Sequence, residues 1–314
     1  MSLEVIEVGG FATIQDSGRK GWMRFGVPAS GPMDSFAFRA ANLLAGNSPN
    51  DALVEIGSGG IAFRALHDCV IAVAGAVSDL EVYIWDFPLW GSYYVRGGWT
   101  IRLDKSDGGM WAYLAIAGGV QTPPTLGSRS TYVRGRFGGL DGRRLQVGDV
   151  LKSEMPRCSL DELAARTLPE EARPDYRDNP VIDVIMGPQE GYFTKESLET
   201  FLSSEYAVSA ASDRMGYRLE GAALTHRGRT ELISEGMTMG AIQVPSNGQP
   251  IVTMADSPTT GGYPRIAAVA SADLPLLAQC VPGRSKIRFR ETTVSKAQKK
   301  YRETMGGLER IVEE

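Results

Sequence analysis

The stretch best equipped for chemistry is ADSPTTGGYPRIA, Ala255 to Ala267, where a carboxylate, hydroxyls, two adjacent glycines and a phenol sit between apolar runs. Its glycines, Gly261 and Gly262, let backbone amides approach a bound anion or carbonyl with no Cβ in the way. Asp256, Thr259, Thr260 and Tyr263 add donors and acceptors of fixed reach. Such a loop suits ligand contact, and the same residues also punctuate ordinary turns.

Three distant stretches share this polar, glycine-rich character: GFATIQDSGRKGWMRFGVPASGPMD (Gly10 to Asp34), AGGVQTPPTLGSRSTYVRGRFGG (Ala117 to Gly139) and SDRMGYRLEG (Ser212 to Gly221). A fifth, GAIQVPSNGQPI (Gly240 to Ile251), precedes the first loop, and together the five point to one composite site. Asp16 and Arg19 either pair to shape a loop or leave the guanidinium to clamp a carboxylate in a bidentate fork. Ser30 and Asp34 flank a Gly-Pro turn, and Asp34 also suits the N-cap of a following helix. Arg129 stands between Ser128 and Ser130, a grouping whose guanidinium and hydroxyls can converge on one anion. Arg214 is the arginine expected to meet ligand charge, with Asp213 beside it to hold it in position. Gln243 and Gln249 carry amides that complement the C=O and N–H of a lactam, urea or carbamate. Arg214, Asp256 and Asp16 are the expected catalytic residues and the others the expected substrate contacts. Glu55 in ALVEIG reads as a strand residue paired with a nearby arginine.

In this order and spacing the five segments resemble the family that contains the C subunit of 5-oxoprolinase, the KipA sporulation regulator and the second half of the biotin-dependent urea carboxyltransferase domain. Its members are often labelled allophanate hydrolase subunit 2. The resemblance runs from Val5 to Phe289, with one departure: Pro258 stands where the family usually has a glutamine before Thr-Thr-Gly-Gly. It implies two cyclophilin-like β-barrel lobes with a ligand cleft between them. It also implies the C subunit of an ATP-dependent 5-oxoprolinase, with a B-type or KipI-like partner and a LamB/YcsF-type A component. The same resemblance admits a carboxyltransferase component of a biotin-dependent urea or amide carboxylase, or a non-catalytic KipA-like antagonist of a KipI-like partner. All three readings require a heteromeric partner.

Several other chemistries lack their residues. No G-x-x-x-x-G-K-[ST] run is present, so any ATP is expected to be bound by the lobes' own loops jointly with the partner. His67 and His226 are isolated from Cys or carboxylate at ligand spacing, so no metal is expected. The adjacent Ser203 and Ser204 lack the glycines of an amidase oxyanion pocket. No Met-Lys-Met sequence occurs, so biotin would arrive on a partner rather than attached to this chain. A net charge of −4 and pI near 5.5 leave no basic footprint for nucleic acid. The longest apolar run, Cys69 to Val77, is too short to cross a bilayer, and MSLEVIEVGG has no leader character, so a cytoplasmic protein without a membrane partner is expected. Cys69, Cys158 and Cys280 are odd in number and widely separated, reading as reduced thiols, with Cys69 and Cys280 as core filler.

Positioning these loops falls to short apolar runs separated by Gly, Pro or Asp: VIAVAGA, LEVYIW, TIRLD, MWAYLAIAGG, RLQVGDVL, VIDVIMG, GAIQV, PIVTM, RIAAVA and KIRFR. Without intervening amphipathic helices they predict a mainly β chain of barrel or sandwich type. Helices are predicted at Asp34 to Leu44, with Asp34 as N-cap, and at Thr194 to Ser203. At 314 residues the length suits two domains. The charged, proline-punctuated segment from Met155 to Pro180 is the expected linker. The division is then 1–160 for an N-terminal lobe, 176–292 for a C-terminal lobe and 293–314 for a helical tail.

Overall fold

The structure, a computed structural model, describes residues 1–57, 59–76, 79–104, 108–228 and 230–313. The chain is mainly β, as its short apolar runs predict, and it divides into two compact units. Unit 1 comprises Met1–Lys20, Ser30–Pro174 and Met305–Glu314; unit 2 comprises Gly21–Ala29 and Asp175–Thr304.

Unit 1 contains strands β1 (Ser2–Val8), β2 (Ala12–Gln15), β3 (Leu53–Ile56), β4 (Ile61–Ala65), β5 (Cys69–Gly75), β6 (Leu80–Val82), β7 (Trp85–Phe87), β8 (Gly91–Val95), β9 (Thr100–Leu103), β10 (Ala112–Ile116) and β11 (Val150–Lys152). Its helices are α1 (Ser35–Leu44) and α2 (Leu160–Leu163). One sheet runs β11-β1-β4-β9-β6-β7 and the other β2-β3-β10-β5-β8. Leu3, Val5, Phe63 and Ile101 of the first join Ile14, Val54, Ile71, Val73 and Leu114 of the second in one core cluster. Every residue of β5 and β10 is buried, because α1 packs on these strands while the core cluster takes inward-facing side chains from both.

Local chemistry explains where these elements begin. Asp34 caps α1 by accepting the amides of Phe36 and Ala37, as its position predicts. The run LEVYIW, expected as one strand, turns back on itself at Tyr83–Ile84, so that Leu80 pairs Phe87 and Val82 pairs Trp85. Much of the segment expected as a linker belongs to unit 1. Leu163 and Leu168 are buried, and the 165–168 backbone bonds with Trp90 and Ser92.

Unit 2 contains β12 (Val181–Met186), α3 (Lys195–Ser203), β13 (Glu205–Val208), β14 (Gly216–Glu220), β15 (Glu235–Gly236), β16 (Ala241–Gln243), β17 (Ile251–Thr253), β18 (Thr260–Gly261), β19 (Arg265–Val269), α4 (Leu274–Ala278), β20 (Lys286–Glu291) and the part of α5 (Val294–Glu313) up to Thr304, the rest of that helix being counted in unit 1. Seven of these strands close a barrel in the order β12-β19-β16-β17-β14-β13-β20. Closure runs through the parallel β12/β20 pair. β20 shows why such a segment is a strand: Ile287 and Phe289 face the core while Lys286, Arg288 and Arg290 face out, a period of two. α3, capped by Thr194, lays Phe201 on Phe289 with ring centroids 4.5 Å apart. No helix among the described residues is long and apolar enough to cross a membrane.

Candidate functional site

Seven of the expected site residues, Asp16, Arg19, Ser30, Asp34, Ser128, Arg129 and Ser130, lie in unit 1; the other ten lie in unit 2. In unit 1, Asp16 is the hub. Its carboxylate accepts Ser128 Oγ at 2.6 Å, Ser130 Oγ at 2.7 Å and the Gly18 amide at 2.9 Å. The Arg129 amide donates to the other carboxylate oxygen. The two serine hydroxyls therefore serve Asp16, tying the QDSG loop to the GSRS loop. Arg19, 1% exposed, donates to the Ser130 carbonyl, and its guanidinium lies 4.8 Å from the centre of the Phe137 ring. Gly138 makes room for this packing. At φ +74°, a Cβ there would stand 2.1 Å from the Ser130 carbonyl oxygen and 2.2 Å from Nη2 of Arg19.

The guanidinium of Arg129 points elsewhere: Nη2 donates to Gln121 Oε1 at 2.8 Å, and Nε is buried without a hydrogen-bond partner among the described residues. Arg129 and Gln121 line a polar pocket of about 240 Å³ with Asp51, Glu154 and Arg157.

Beside α1, Glu55 and Asp34 form a second buried set around a tyrosine that the sequence reading did not single out. Tyr113 Oη donates to Glu55 at 2.9 Å and accepts the Asp34 amide at 2.7 Å; all three residues are fully buried. Burial, then the nearby Glu55 and Asp34 charges, push the Tyr113 phenol well above its ordinary value, so it stays a donor. Glu55 also accepts the Met33 amide at 2.8 Å. The signal for this set was the register of β3 and β10, which places Tyr113 opposite Glu55. Ser30, in the turn just before, sits at φ +55° with its hydroxyl buried and without a partner among the described residues.

In unit 2, Arg214 and Asp256 form a bidentate pair, Nε to Oδ2 at 2.8 Å and Nη2 to Oδ1 at 3.1 Å, with both side chains under 10% exposed. Asp256 also donates its amide to the Arg214 carbonyl at 2.8 Å. Asp213, which is exposed, accepts the amides of Met215 and Gly216 and so shapes the turn. Gln249 accepts the Gly221 amide and donates to the Gly221 carbonyl, pinning one loop to another.

The Thr259–Tyr263 stretch pairs β18 with β15, while Met237 donates to the Thr259 carbonyl and Leu232 to that of Gly262. Thr260 and Tyr263 are exposed. Close by, the side-chain oxygen of Gln243 is buried and accepts no hydrogen bond from the described residues. It would stand 3.0 Å from a Cβ at Gly261, which brings the backbone of the glycine loop against the amide. Arg265, also passed over in the sequence although it closes the same motif, bonds Gln189 Oε1 at 3.1 Å and the Gly236 carbonyl at 3.0 Å, and pairs with Glu235. Among the described residues no group of three or more His, Cys, Asp or Glu is placed to hold a metal ion.

Comparison with known proteins agrees with this architecture. The 5-oxoprolinase C subunit of Haemophilus influenzae is 37% identical over 99% of this chain and 99% of its own length. The Escherichia coli protein of the same name is 37% identical over 95% of this chain and 93% of its own. The solved structure of the Kluyveromyces lactis urea amidolyase superposes with a TM-score of 0.92 at 29% identity, covering 99% of this chain but 20% of the amidolyase. The family described as carboxyltransferase domain, subdomain A and B, matches residues 25–291, and the chain belongs to that family.

Proposed function

We propose that the chain is the C subunit of an ATP-dependent 5-oxoprolinase that opens the 5-oxoproline lactam to glutamate together with a B-type, KipI-like partner and a LamB/YcsF-type A component. The observation that carries the reading is the buried, unfilled acceptor of Gln243 beside the Thr-Thr-Gly-Gly loop. A lactam presents one N–H, and a buried acceptor without a donor costs about 1–3 kcal/mol until such a donor arrives. The near full-length identity to two proteins named as the C subunit of 5-oxoprolinase supports the same reading.

Within this activity, ATP supplies a phosphoryl group to the amide oxygen and leaves as ADP. Water adds to the activated carbon, the ring C–N bond breaks as nitrogen takes a proton, and a second water hydrolyses the resulting acyl phosphate to glutamate and phosphate. Gln243 Oε1 accepts the ring N–H and fixes the lactam's orientation. The Gly261–Gly262 backbone gives the carbonyl side a close approach. Arg214 is held by Asp256 in a fixed fork, so its charge costs no reorganisation when negative charge grows on the substrate. Arg129, steadied by Gln121 at a polar pocket of about 240 Å³, fits a phosphate-sized group. That pocket is smaller than the roughly 300–1,000 Å³ that encloses a larger ligand, so the rest of the nucleotide falls to the partner.

A second reading, carboxyl transfer to urea or a similar amide from a carboxybiotin carried by another protein, is favoured by the family description and by the fit to the urea amidolyase. The two separate in one assay: ATP- and 5-oxoproline-dependent glutamate release by this chain with its two partners, each omitted in turn. Turnover lost on omitting this chain supports the oxoprolinase reading. A stable complex without turnover overturns it.

A further inference from the structure

The free edge of the six-stranded sheet of unit 1 carries the other conspicuous feature of the molecule. β7 is the last strand of that sheet, and its hairpin exposes Tyr83 (47%), Ile84 (68%) and Trp85 (49%). The rings of Tyr83, Trp85 and Trp99 form one cluster with centroids 5.2–5.6 Å apart. β7 is a short edge strand that carries Asp86 and is followed by Pro88, yet large apolar side chains also stand beside its backbone, whose outer edge pairs with no other strand among the described residues.

Register divides the two faces of this edge. Leu80 and Val82, buried in the core, pair with Phe87 and Trp85, so these four share one face of the sheet, on which Trp85 at its margin stays half exposed. Glu81 and Asp86 pair directly on the outer face. Like charges opposite one another weaken a sheet. The next strand adds one cation, Arg102, opposite Glu81, and Glu7, Asp104 and Glu81 already surround it. Among the described residues, acidic side chains therefore outnumber basic ones on the outer face of β6, β7 and β9.

We propose that the β7 edge, with the Tyr83–Trp85–Trp99 cluster, is the docking strand for a partner protein that adds an extended segment alternating apolar and basic residues. Its apolar side chains would continue the Trp85 face and its basic ones would sit opposite Asp86, the period-two pattern of strand addition. A second copy of this chain is the wrong occupant, because two-fold antiparallel pairing of β7 centred on Asp86 sets that carboxylate against its own copy. The inference rests on the reading that this chain works with a B-type partner, and it assigns the surface that partner uses.

The test is the affinity of the full chain for the purified B-type partner protein, by calorimetry, for wild type, Trp85→Ser, Asp86→Lys and the control Ile233→Ser at an exposed side chain of unit 2. Melting temperature is recorded for each. Both edge variants are expected to weaken binding at least about tenfold, Asp86→Lys without lowering the melting temperature and Trp85→Ser while still unfolding cooperatively, and Ile233→Ser to change the affinity less than about twofold. Binding of both edge variants within about twofold of wild type overturns the proposal. So does failure of the wild-type chain to bind, or a wild-type homodimer that Trp85→Ser dissociates. Glutamate release read on the same wild-type complex separates the two proposals. Turnover with edge-independent binding overturns the docking strand alone, and edge-dependent binding without turnover overturns the oxoprolinase reading alone.

Discussion

Arg214 and Asp256, 42 residues apart in sequence, face each other as a bidentate ion pair with both side chains under 10% exposed. Removing Arg214 deprives the buried Asp256 carboxylate of its bidentate cation, and removing the Asp256 charge breaks the same fork from the other side. Arg214→Met is therefore expected to destabilise unit 2 by about 3–5 kcal/mol, and Asp256→Asn by a comparable amount. The double variant Arg214→Met/Asp256→Leu should cost much less than the sum. Denaturant unfolding of the four proteins, closed as a double-mutant cycle, checks this; additive effects would show that the pair does not couple.

Gln243 should behave in the opposite sense. Replacing it with Leu removes a buried acceptor without a donor, so the free chain is expected to hold its stability or gain about 1 kcal/mol. Binding of 5-oxoproline, followed by ligand-observed NMR, should weaken at least about tenfold. A variant that loses stability and still binds would place the Gln243 oxygen in the fold rather than in the site.

Gly138 tests the packing behind the Asp16 hub. A methyl group there meets the Ser130 carbonyl oxygen and the Arg19 guanidinium at little over 2 Å, in a backbone conformation that disfavours side chains. Gly138→Ala should cost on the order of 2 kcal/mol or more. Thermal unfolding reads it directly; a melting temperature equal to wild type would mean that the loop yields without cost.

Much of this was legible in the sequence. KIRFR, PIVTM and VIAVAGA announce their strands through alternation or continuous apolarity, and Asp34 and Thr194 announce the helices they cap. β1, β4 and β8 escaped because SLEVIEV, IAFRA and GSYYV mix polar with apolar residues, and sheet pairing decides their state. At the site, residue types pointed to the right loops but not to the partners each side chain chose. Neither the grip of Asp256 on Arg214 nor the service of Ser128 and Ser130 to Asp16 is encoded by adjacency, since these contacts span 42, 112 and 114 residues.

The C-terminal helix offers a pH test. Lys300 of α5 pairs with Asp183 at 2.9 Å and with the fully buried Asp273 at 2.5 Å, and Arg290 bonds Asp183 at 2.7 Å. Burial opposes ionisation of Asp183, yet the hydrogen bonds from Arg290 and Lys300 outweigh it and hold the carboxyl below its ordinary 3.8. A carboxyl lowered on folding stabilises above its unfolded value and loses that contribution as pH falls through the folded one. Protection factors of the α5 amides, corrected for the intrinsic exchange rate at each pH, should thus fall only below about 3.8. Lys300→Met, discounted for the half-exposed amine, should cost roughly 1 kcal/mol and flatten that acid dependence. Equal acid profiles for variant and wild type would contradict the tether.

Thiol reactivity checks burial independently. Cys69 and Cys280 are buried, and desolvation pushes each thiol up to about 12, whereas Cys158 is exposed. A disulfide reagent near pH 8 should titrate one thiol rapidly in the native chain and three after denaturation. Rapid reaction of a second native thiol would refute the packing around Cys69 or Cys280.

The most direct measurement is glutamate release from 5-oxoproline and ATP by the complex reconstituted with wild-type or Gln243→Leu chain, alongside the amount of complex formed. Turnover by wild type, with kcat/KM lowered about a hundredfold or more in an equally well-assembled Gln243→Leu complex, is the predicted result. Equal turnover by both complexes, or none by the assembled wild type, would contradict it.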